Sequence, residues 1–157
     1  MRKTTKALVR PKLPDRKYNS EMVQRLINRV MLNGKKQLAE RIVYAGMESA
    51  AKKVKNENVL EVFDKAFKNV TPFMETRSRR VGGANYQIPF EVKGQRQKHL
   101  AVMWFVAAAR AKKGMPMSER IAQELADAYN GQGTSVKKKE DVHKMAESNR
   151  AFAHFAR

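Results

Sequence analysis

The recurrence of apolar residues at every third or fourth position is the feature that most constrains how this chain folds. It extends from residue 20 to residue 148 and fails in one stretch, residues 72–92. A spacing of 3.6 residues places such residues on one side of a helix, where they can be buried against other helices. The pattern therefore predicts a mainly α-helical fold, a bundle-like domain of six helices with one interruption.

Turn and capping residues divide residues 20–71 into helices one to three. Asn33-Gly34 is predicted to end the first helix, because both residues tolerate the left-handed backbone that terminates a helix. The second helix is predicted over residues 35–55, and Asn58 is predicted to cap the third, which ends at Thr71-Pro72. The residues predicted on their buried faces are Met22, Val23, Leu26, Ile27, Val30, Met31, Leu38, Ala39, Ile42, Val43, Met47, Ala50, Val54, Val59, Leu60, Phe63, Ala66, Phe67 and Val70.

Helical periodicity returns at residue 94 and predicts helices four to six. The run Leu100–Ala109 is apolar on every side, so we expect the fourth helix to be the most buried one, or to be covered by a partner as well. Lys112-Lys113-Gly114 ends it, and a fifth helix begins near Pro116. A sixth is predicted over about residues 136–148. The polar face predicted for the fifth helix consists of Glu119, Arg120, Gln123, Glu124 and Asp127.

Residues 72–92 break the helical pattern and predict a two-stranded β-hairpin arm. Gly82-Gly83 supplies the turn, since hairpin turns favour residues that adopt positive φ. Strand-forming residues on either side are too sparse for a buried sheet, so the arm is predicted to protrude from the helices, with Arg77, Arg79 and Arg80 beside its tip. Because an isolated hairpin is marginal in water, we expect the arm to become well ordered only against a partner.

The net charge of the chain indicates a polyanionic partner. Its 33 lysine and arginine residues against 15 acidic residues give a charge of +18, while 42% of the residues are hydrophobic. The chain is therefore too apolar to be a disordered basic tail, and we expect a folded domain with a positive surface. A basic opening segment, an arm and scattered patches suit the irregular shape of folded RNA better than duplex DNA, for which no recognition helix is evident.

The positive charge is concentrated in particular segments. Residues 1–20 hold seven basic residues and one acidic residue, whereas residues 115–130 hold one basic residue and three acidic residues. A solvated helix face explains any single lysine or arginine about as well as RNA binding does, but it does not explain this asymmetry. The predicted RNA contacts are Arg2, Lys3, Lys6, Arg10, Lys12, Arg25, Arg29, Lys35, Lys36, Arg77, Arg79, Arg80, Arg96, Lys113, Lys137, Lys138, Lys139 and Lys144.

Residue types and spacings argue against several other kinds of site. Without cysteine there is no disulfide, thiol nucleophile or thiolate zinc site, and His99, His143 and His154 lack a metal-binding spacing. No group of residues suggests an acid, base or nucleophile, so we predict no enzyme activity, metal or cofactor. The longest apolar run has ten residues, too few to span a membrane. By composition alone, the basic opening could also be an organellar transit peptide.

Three stretches, in this order and spacing, carry a resemblance to a known family. They are LPDRKYNSEMVQRLINRVMLNGKKQLAERIVYAG, TRSRRVGGANYQIPFEV and VKKKEDVHKMAESNRAFAHF. With them the chain resembles, over nearly its whole length, the seventh protein of the bacterial small ribosomal subunit. Two positions depart from that family's usual pattern: Met103 stands where the family has an arginine, and Arg16 where it has a second proline.

The resemblance implies direct and early binding to the 3′ major domain of small-subunit ribosomal RNA, which nucleates assembly of the subunit head. The implied neighbours are messenger RNA and transfer RNA at the exit site and the ninth, eleventh and thirteenth small-subunit proteins. It also implies a cytoplasmic protein within the ribosome, or a plastid or mitochondrial one, monomeric outside the ribosome and without a membrane partner. The chain is thus interpreted as one RNA-binding domain, residues 1–157, with a basic extension at 1–19, helices at 20–71 and 94–148, the arm at 72–92 and a tail at 149–157.

Two other functions stay open at this point. A free regulatory nucleic-acid-binding protein, either a translational repressor or a DNA-compacting protein, agrees equally well with the charge alone. The arm favours the ribosomal interpretation, because a general compactor has little need for two glycines flanked by three arginines. A third interpretation is an RNA-processing enzyme, but the sequence offers no catalytic group for this activity. Some members of the family also bind their own messenger RNA to limit synthesis, so the resemblance also implies translational autoregulation as a further function.

Overall fold

The computed structural model describes residues 13–156, which form a bundle of α-helices with a two-stranded antiparallel hairpin inserted in the middle. The predicted fold class, mainly α-helical with a hairpin arm, is confirmed. Residues 150–156 add a 3-10 helix, η1, in the part of the chain interpreted as a tail. The elements are α1 (Glu21–Val30), α2 (Lys36–Val54), α3 (Val59–Val70), β1 (Met74–Val81), β2 (Ala84–Glu91), α4 (Gly94–Ala111), α5 (Met117–Tyr129), α6 (Thr134–Ser148) and η1 (Arg150–Ala156).

The apolar faces of α1 to α5, with Val136 of α6, meet in one main core. Its largest fully buried side chains include Phe63 and Phe105, and the rings of both pack against the ring of Phe67. Helices α2 and α5 pack closely at Gly46, where an added Cβ atom would lie 2.8 Å from Cγ2 of Ile121. Gly46 is therefore needed in the middle of α2, although glycine in the interior of a helix normally destabilises it.

The helix boundaries follow the predicted caps with one difference. Asn58 caps α3 as predicted, since its Oδ1 accepts a hydrogen bond from the backbone N–H of Glu61 at 3.2 Å. The first helix, in contrast, ends at Val30, before Asn33-Gly34. Asn33 and Gly34 have φ values of 51° and 73°, so this pair forms the left-handed loop between α1 and α2 and does not itself terminate α1.

Two residues differ from the prediction in burial: one that was predicted to be buried is exposed, and one that was predicted to be exposed is buried. Leu38, predicted on the buried face of α2, is 48% exposed, because it borders an open groove between the end of α1 and the first turns of α2. Glu124, predicted on the polar face of α5, is fully buried. Its Oε1 accepts hydrogen bonds from the backbone N–H and hydroxyl of Ser135, and its Oε2 lies 3.0 Å from Nζ of Lys112. These partners compensate for the burial of a carboxylate.

The segment before α1 is packed on the bundle from Asp15 onwards. Asp15 is only 3% exposed, and its carboxylate accepts hydrogen bonds from the backbone N–H groups of Lys17, Tyr18 and Ser20 at 2.8–3.0 Å and from the Tyr44 hydroxyl at 3.2 Å. The rings of Tyr18 and Tyr44 also meet edge to face. One buried carboxylate therefore fixes the approach to α1, a role that the charge pattern did not reveal.

The arm has the predicted turn and pairs in register from Met74 opposite Glu91 to Val81 opposite Ala84. Gly82 and Gly83 have φ values of 58° and 91°, as a two-residue hairpin turn requires. Beside the base of the arm, the backbone N–H of Phe73 donates to Nε2 of His143 in α6 at 3.1 Å. Burial, with a contribution from the charge of Lys139, lowers the pKa of His143 below its ordinary value, and a neutral ring is what accepting this hydrogen bond requires.

The distal half of the arm has a partner within the chain, the 3-10 helix η1. The ring of Tyr86 lies 5.0 Å from that of Phe152 and 5.6 Å from that of Phe155, measured between centroids. The guanidinium of Arg79 also donates to the carbonyl oxygen of Phe155 at 2.8 Å. Sequence patterns did not anticipate this contact, because a short tail of alternating small and aromatic residues has no helical periodicity.

Candidate nucleic-acid interface

A set of polar contacts joins α1 to the first turn of α4. Arg25 donates to Oε1 of Glu21, one turn earlier in α1, at 2.7 and 3.2 Å, and it also donates to Oε1 of Gln95 in α4. The second oxygen of Glu21 lies 3.8 Å from Nζ of Lys98. The side chain of Arg25 is 18% exposed, so this predicted RNA contact is largely occupied in holding two helices together.

A second set of contacts, centred on Glu75, joins the same turn of α4 to the base of the arm. Arg96 donates to Oε2 of Glu75 at 3.0 and 3.1 Å. Arg77 donates to Oε1 of Glu75 through its Nε, at 2.6 Å, and through Nη2, and its guanidinium lies 5.3 Å from the centroid of the Phe90 ring. Three predicted contacts, Arg25, Arg77 and Arg96, are thereby connected through the first turn of α4, and we call the region that they form the arm-base surface.

Glu75 is buried and remains charged. Burial raises the pKa of its carboxyl, but the hydrogen bonds and positive charges of Arg77 and Arg96 outweigh burial and bring the pKa below its ordinary value. A carboxylate with an arginine on each oxygen is a common way to keep guanidinium groups in fixed positions. Sequence reasoning missed Glu75, because an acidic residue in an arm that also contains Glu91 does not by itself predict a buried carboxylate.

The arginines that Glu75 holds keep much of their surface in solvent. The side chains of Arg77 and Arg96 are 57% and 50% exposed. Each uses Nε and Nη2 on the carboxylate, and a guanidinium carries five N–H donors in a planar fork. The remaining donors on Nη1 face away from the carboxylate, and the group of two cations and one anion has a net positive charge. Such a fork can donate to phosphate oxygens.

The tip of the arm presents its arginines on two faces. Arg79 pairs with Tyr86 and Arg80 with Asn85, and neighbouring residues of a strand point to opposite sides. Arg79 lies on the side covered by η1, where it donates to Phe155, whereas Arg80 is exposed on the other side. The three arginines predicted beside the tip are therefore spread from the base of the arm to its end.

The basic residues of α6 have different surroundings. Lys139 donates to the backbone carbonyl of Asn69 at 2.6 Å and so ties α6 to α3. Lys137 and Lys144 border an open surface pocket beside the loop at residues 131–133, together with two acidic residues of the same helix. Lys138 is exposed. The predicted run at residues 137–139 thus divides into one lysine engaged in packing and two directed to solvent.

The remaining predicted contacts lie on other parts of the bundle. Lys36 is 3.9 Å from Glu40 one turn along α2, and Lys35 and Lys113 are exposed. Within residues 13–156, no hydrogen bond or ion pair joins these lysines or Arg29 to the arm-base surface. The predicted contacts Arg2, Lys3, Lys6, Arg10 and Lys12 lie outside the described residues.

Among residues 13–156, no group of three or more histidine, aspartate or glutamate side chains is arranged to hold a metal ion. No helix in this range combines the length and apolar character needed to cross a membrane.

Comparison with known proteins gives one consistent result. A family model described as ribosomal protein S7p/S5e matches residues 1–150 of this chain. The small ribosomal subunit protein uS7 of Kosmotoga olearia is 57% identical over 150 residues, which are 96% of this chain and 96% of that protein. The proteins of the same name from Chloroflexus aggregans and Thermosipho melanesiensis are each 55% identical, over 94% and 96% of both chains respectively. The matched range includes helices α1 to α6 and the whole arm.

Proposed function

Because this chain belongs to the ribosomal protein S7p/S5e family, we propose that it is a structural component of the small ribosomal subunit and binds ribosomal RNA directly. The observation that carries the proposal is the arm-base surface. It places half-exposed arginines from the arm and from α4 on one buried carboxylate and links them to α1 through Gln95. The excess of 18 positive charges supplies the long-range attraction to RNA.

The proposed mechanism is the neutralisation of phosphates that would otherwise repel one another. RNA helices that pack against each other bring phosphate groups together, and each cation placed there releases bound counterions. Arginine suits this role better than lysine, because its planar fork can bridge two phosphate oxygens or stack on an unpaired base. The proposal assigns the chain no bond-making or bond-breaking step.

We further propose the finer placement that the family resemblance implies. The RNA would be the 3′ major domain, bound early in assembly of the head. The arm would lie near messenger RNA and transfer RNA at the exit site, with the ninth, eleventh and thirteenth small-subunit proteins as neighbours. The protein would act in the cytoplasm, or in a plastid or mitochondrion, and would be monomeric before assembly. An arm with cations along its length and on two faces supports contact with more than one nucleic-acid segment.

Filter binding across a salt series tests the proposal. The RNAs are a 3′ major domain fragment and an unrelated structured RNA of equal length, with duplex DNA as a third ligand. We expect the first to be preferred by about a thousandfold or more at physiological salt, well above the nonspecific phosphate contribution. Equal binding to all of them would replace this proposal by a general nucleic-acid-binding protein, either regulatory or DNA-compacting.

A charge-matched pair of variants tests the arm-base surface itself. Arg77→Gln combined with Arg96→Gln removes two of its cations, and Lys52→Gln combined with Lys53→Gln removes two exposed cations from the end of α2. We expect the first pair to weaken specific binding and to reduce the salt slope by about one per residue, and the second pair to have a smaller effect. Circular dichroism of each variant verifies that the bundle is folded. If both double variants lose the same amount of RNA affinity, the arm-base surface makes no special contribution to RNA binding.

A further inference from the structure

A shallow pocket of about 230 Å³ lies between α1 and α4, next to the arm-base surface. Its rim is polar and its floor is apolar. Asn28 and Arg29 of α1 form one side of the rim, and Lys98 and His99 of α4 form the other. The floor consists of Val102 and Met103, one turn further along α4.

The floor of the pocket is held in place by the core. Val102 is 5% exposed and belongs to the main core, and Met103 packs against the cluster formed by Val92, Leu100 and Trp104. An apolar floor of this kind contributes nothing to binding a bare phosphate, which prefers donors and positive charge. It does favour the flat face of a ring, because burying apolar area is favourable.

The rim offers donors and positive charge that the described chain leaves unused. The Oδ1 of Asn28 accepts a hydrogen bond from Gln24 at 3.0 Å, so the amide nitrogen of Asn28 is directed elsewhere. Arg29 and His99 are exposed, and neither side chain makes an ion pair or hydrogen bond with another residue in the range 13–156. Lys98 shares the carboxylate of Glu21 with Arg25, so the rim as a whole has an excess of positive charge.

We propose that this pocket takes one unpaired nucleobase of the bound RNA. The base lies against Met103 and Val102, Asn28 and His99 contact its polar edge, and Arg29 and Lys98 meet the phosphates on either side. A base inside a duplex is stacked and cannot enter such a pocket, so the nucleotide belongs to a loop, bulge or junction. The inference rests on the proposed function, to which it adds a site that reads a base rather than the charge of the backbone.

Variants on the rim distinguish base recognition from charge. Asn28→Ala combined with His99→Ala removes the uncharged contacts to the base, and both side chains are exposed, so the helices stay folded. Arg29→Ala removes a phosphate contact from the same rim. Gln123→Ala, on the acidic helix α5, serves as the matched neutral control.

The measurements are filter binding to the 3′ major domain fragment and chemical probing of the base edges in that RNA with dimethyl sulfate and a carbodiimide. For the Asn28 and His99 double variant we expect about tenfold weaker binding to this RNA, an unchanged salt slope and no change with an unrelated RNA. In this double variant, one or a few unpaired bases that the unaltered protein protects are expected to regain their reactivity toward these reagents. Arg29→Ala is expected to weaken binding to every RNA and to lower the salt slope by about one.

The outcomes separate failure of the pocket from failure of the proposed function. Suppose the unaltered protein prefers the 3′ major domain, but the double variant matches Gln123→Ala in affinity and base protection. The pocket then does not hold a base, and its occupant is another group, such as an acidic side chain of a neighbouring protein. The proposal of ribosomal RNA binding is unaffected by this outcome. If the unaltered protein shows no preference among RNAs, the proposed function fails, and base recognition in this pocket fails with it.

Discussion

Oε2 of Glu75 accepts hydrogen bonds from Nε and Nη2 of Arg96 at 3.1 and 3.0 Å, and this contact joins the first strand of the arm to the first turn of α4. The two residues come from elements of different type, 21 positions apart in the chain. The base of the arm is therefore fixed to the helical bundle by a charged contact in addition to apolar packing.

We expect Glu75→Gln to lower the free energy of unfolding by about 1–3 kcal/mol, because hydrogen bonds to a buried charged group are among the stronger ones. Urea unfolding at neutral pH measures the change. Glu91→Gln is the control, since Glu91 pairs with Lys93 at the surface, where ion pairs contribute little to stability. Equal effects of the two variants would show that Glu75 does not fasten the arm.

We expect Gly46→Ala to destabilise the protein by about 1–3 kcal/mol, although alanine favours a helix more than glycine does. The added Cβ would lie 2.8 Å from Cγ2 of Ile121 and 3.0 Å from the backbone oxygen of Ser118, so α2 and α5 must move apart. Thermal unfolding gives the sign of the change. A rise in the melting temperature would mean that helix propensity outweighs the close contact.

We expect Phe152→Ala combined with Phe155→Ala to loosen the distal half of the arm and leave its base intact. Among residues 13–156, the aromatic contacts of Tyr86 are made only with η1, whereas the base of the arm also contacts α6. Hydrogen exchange should accelerate at amides near residues 78–87 and stay unchanged near residues 74–76. Arg150→Ala, an exposed change in the same segment, is the control. Uniform exchange across the arm in both variants would contradict the prediction.

We expect stability to fall as the pH is lowered through about 6.5, the ordinary pKa of histidine. Burial lowers the pKa of His143 in the folded protein, so between its folded and unfolded pKa values the unfolded chain binds more protons, and acid favours unfolding. Urea unfolding from pH 8 to 5 follows the effect. His143→Gln, which keeps an acceptor for the Phe73 N–H, should flatten the profile over that range. If the profile of the variant matches that of the original protein, another group is responsible.

The sequence was a good guide to the helices and the hairpin turn because these depend on local pattern. Apolar spacing located the core faces, and Gly82-Gly83 located the turn. It was a poor guide to Glu124 and Leu38, because whether a helical residue is covered depends on what packs against it. Glu124 is covered by Lys112 and Ser135, which come from segments before and after α5, whereas no other part of residues 13–156 covers Leu38 in the first turn of α2 in this way.

The candidate site was predictable as a set of cations but not as an arrangement. Charge alone selected Arg25, Arg77 and Arg96, and the structure connects them through the first turn of α4. The residues that arrange them, Glu75 and Gln95, have no charge pattern that distinguishes them from a solvated face. Lys139, selected by the same criterion as its neighbours, turned out to bond to the backbone of α3. Tertiary contacts determine which lysine and arginine side chains bond to other parts of the folded protein.

The buried carboxylate of Glu124 also joins two segments that carry exposed lysines. It bonds Lys112 on one side and Ser135 on the other, and the exposed Lys113 and Lys137 follow these residues within two positions. Two exposed cations thus lie next to residues that are held together by a fully buried anion. We expect a change at Glu124 to alter the position of these lysines relative to each other while leaving every positive charge in the chain in place.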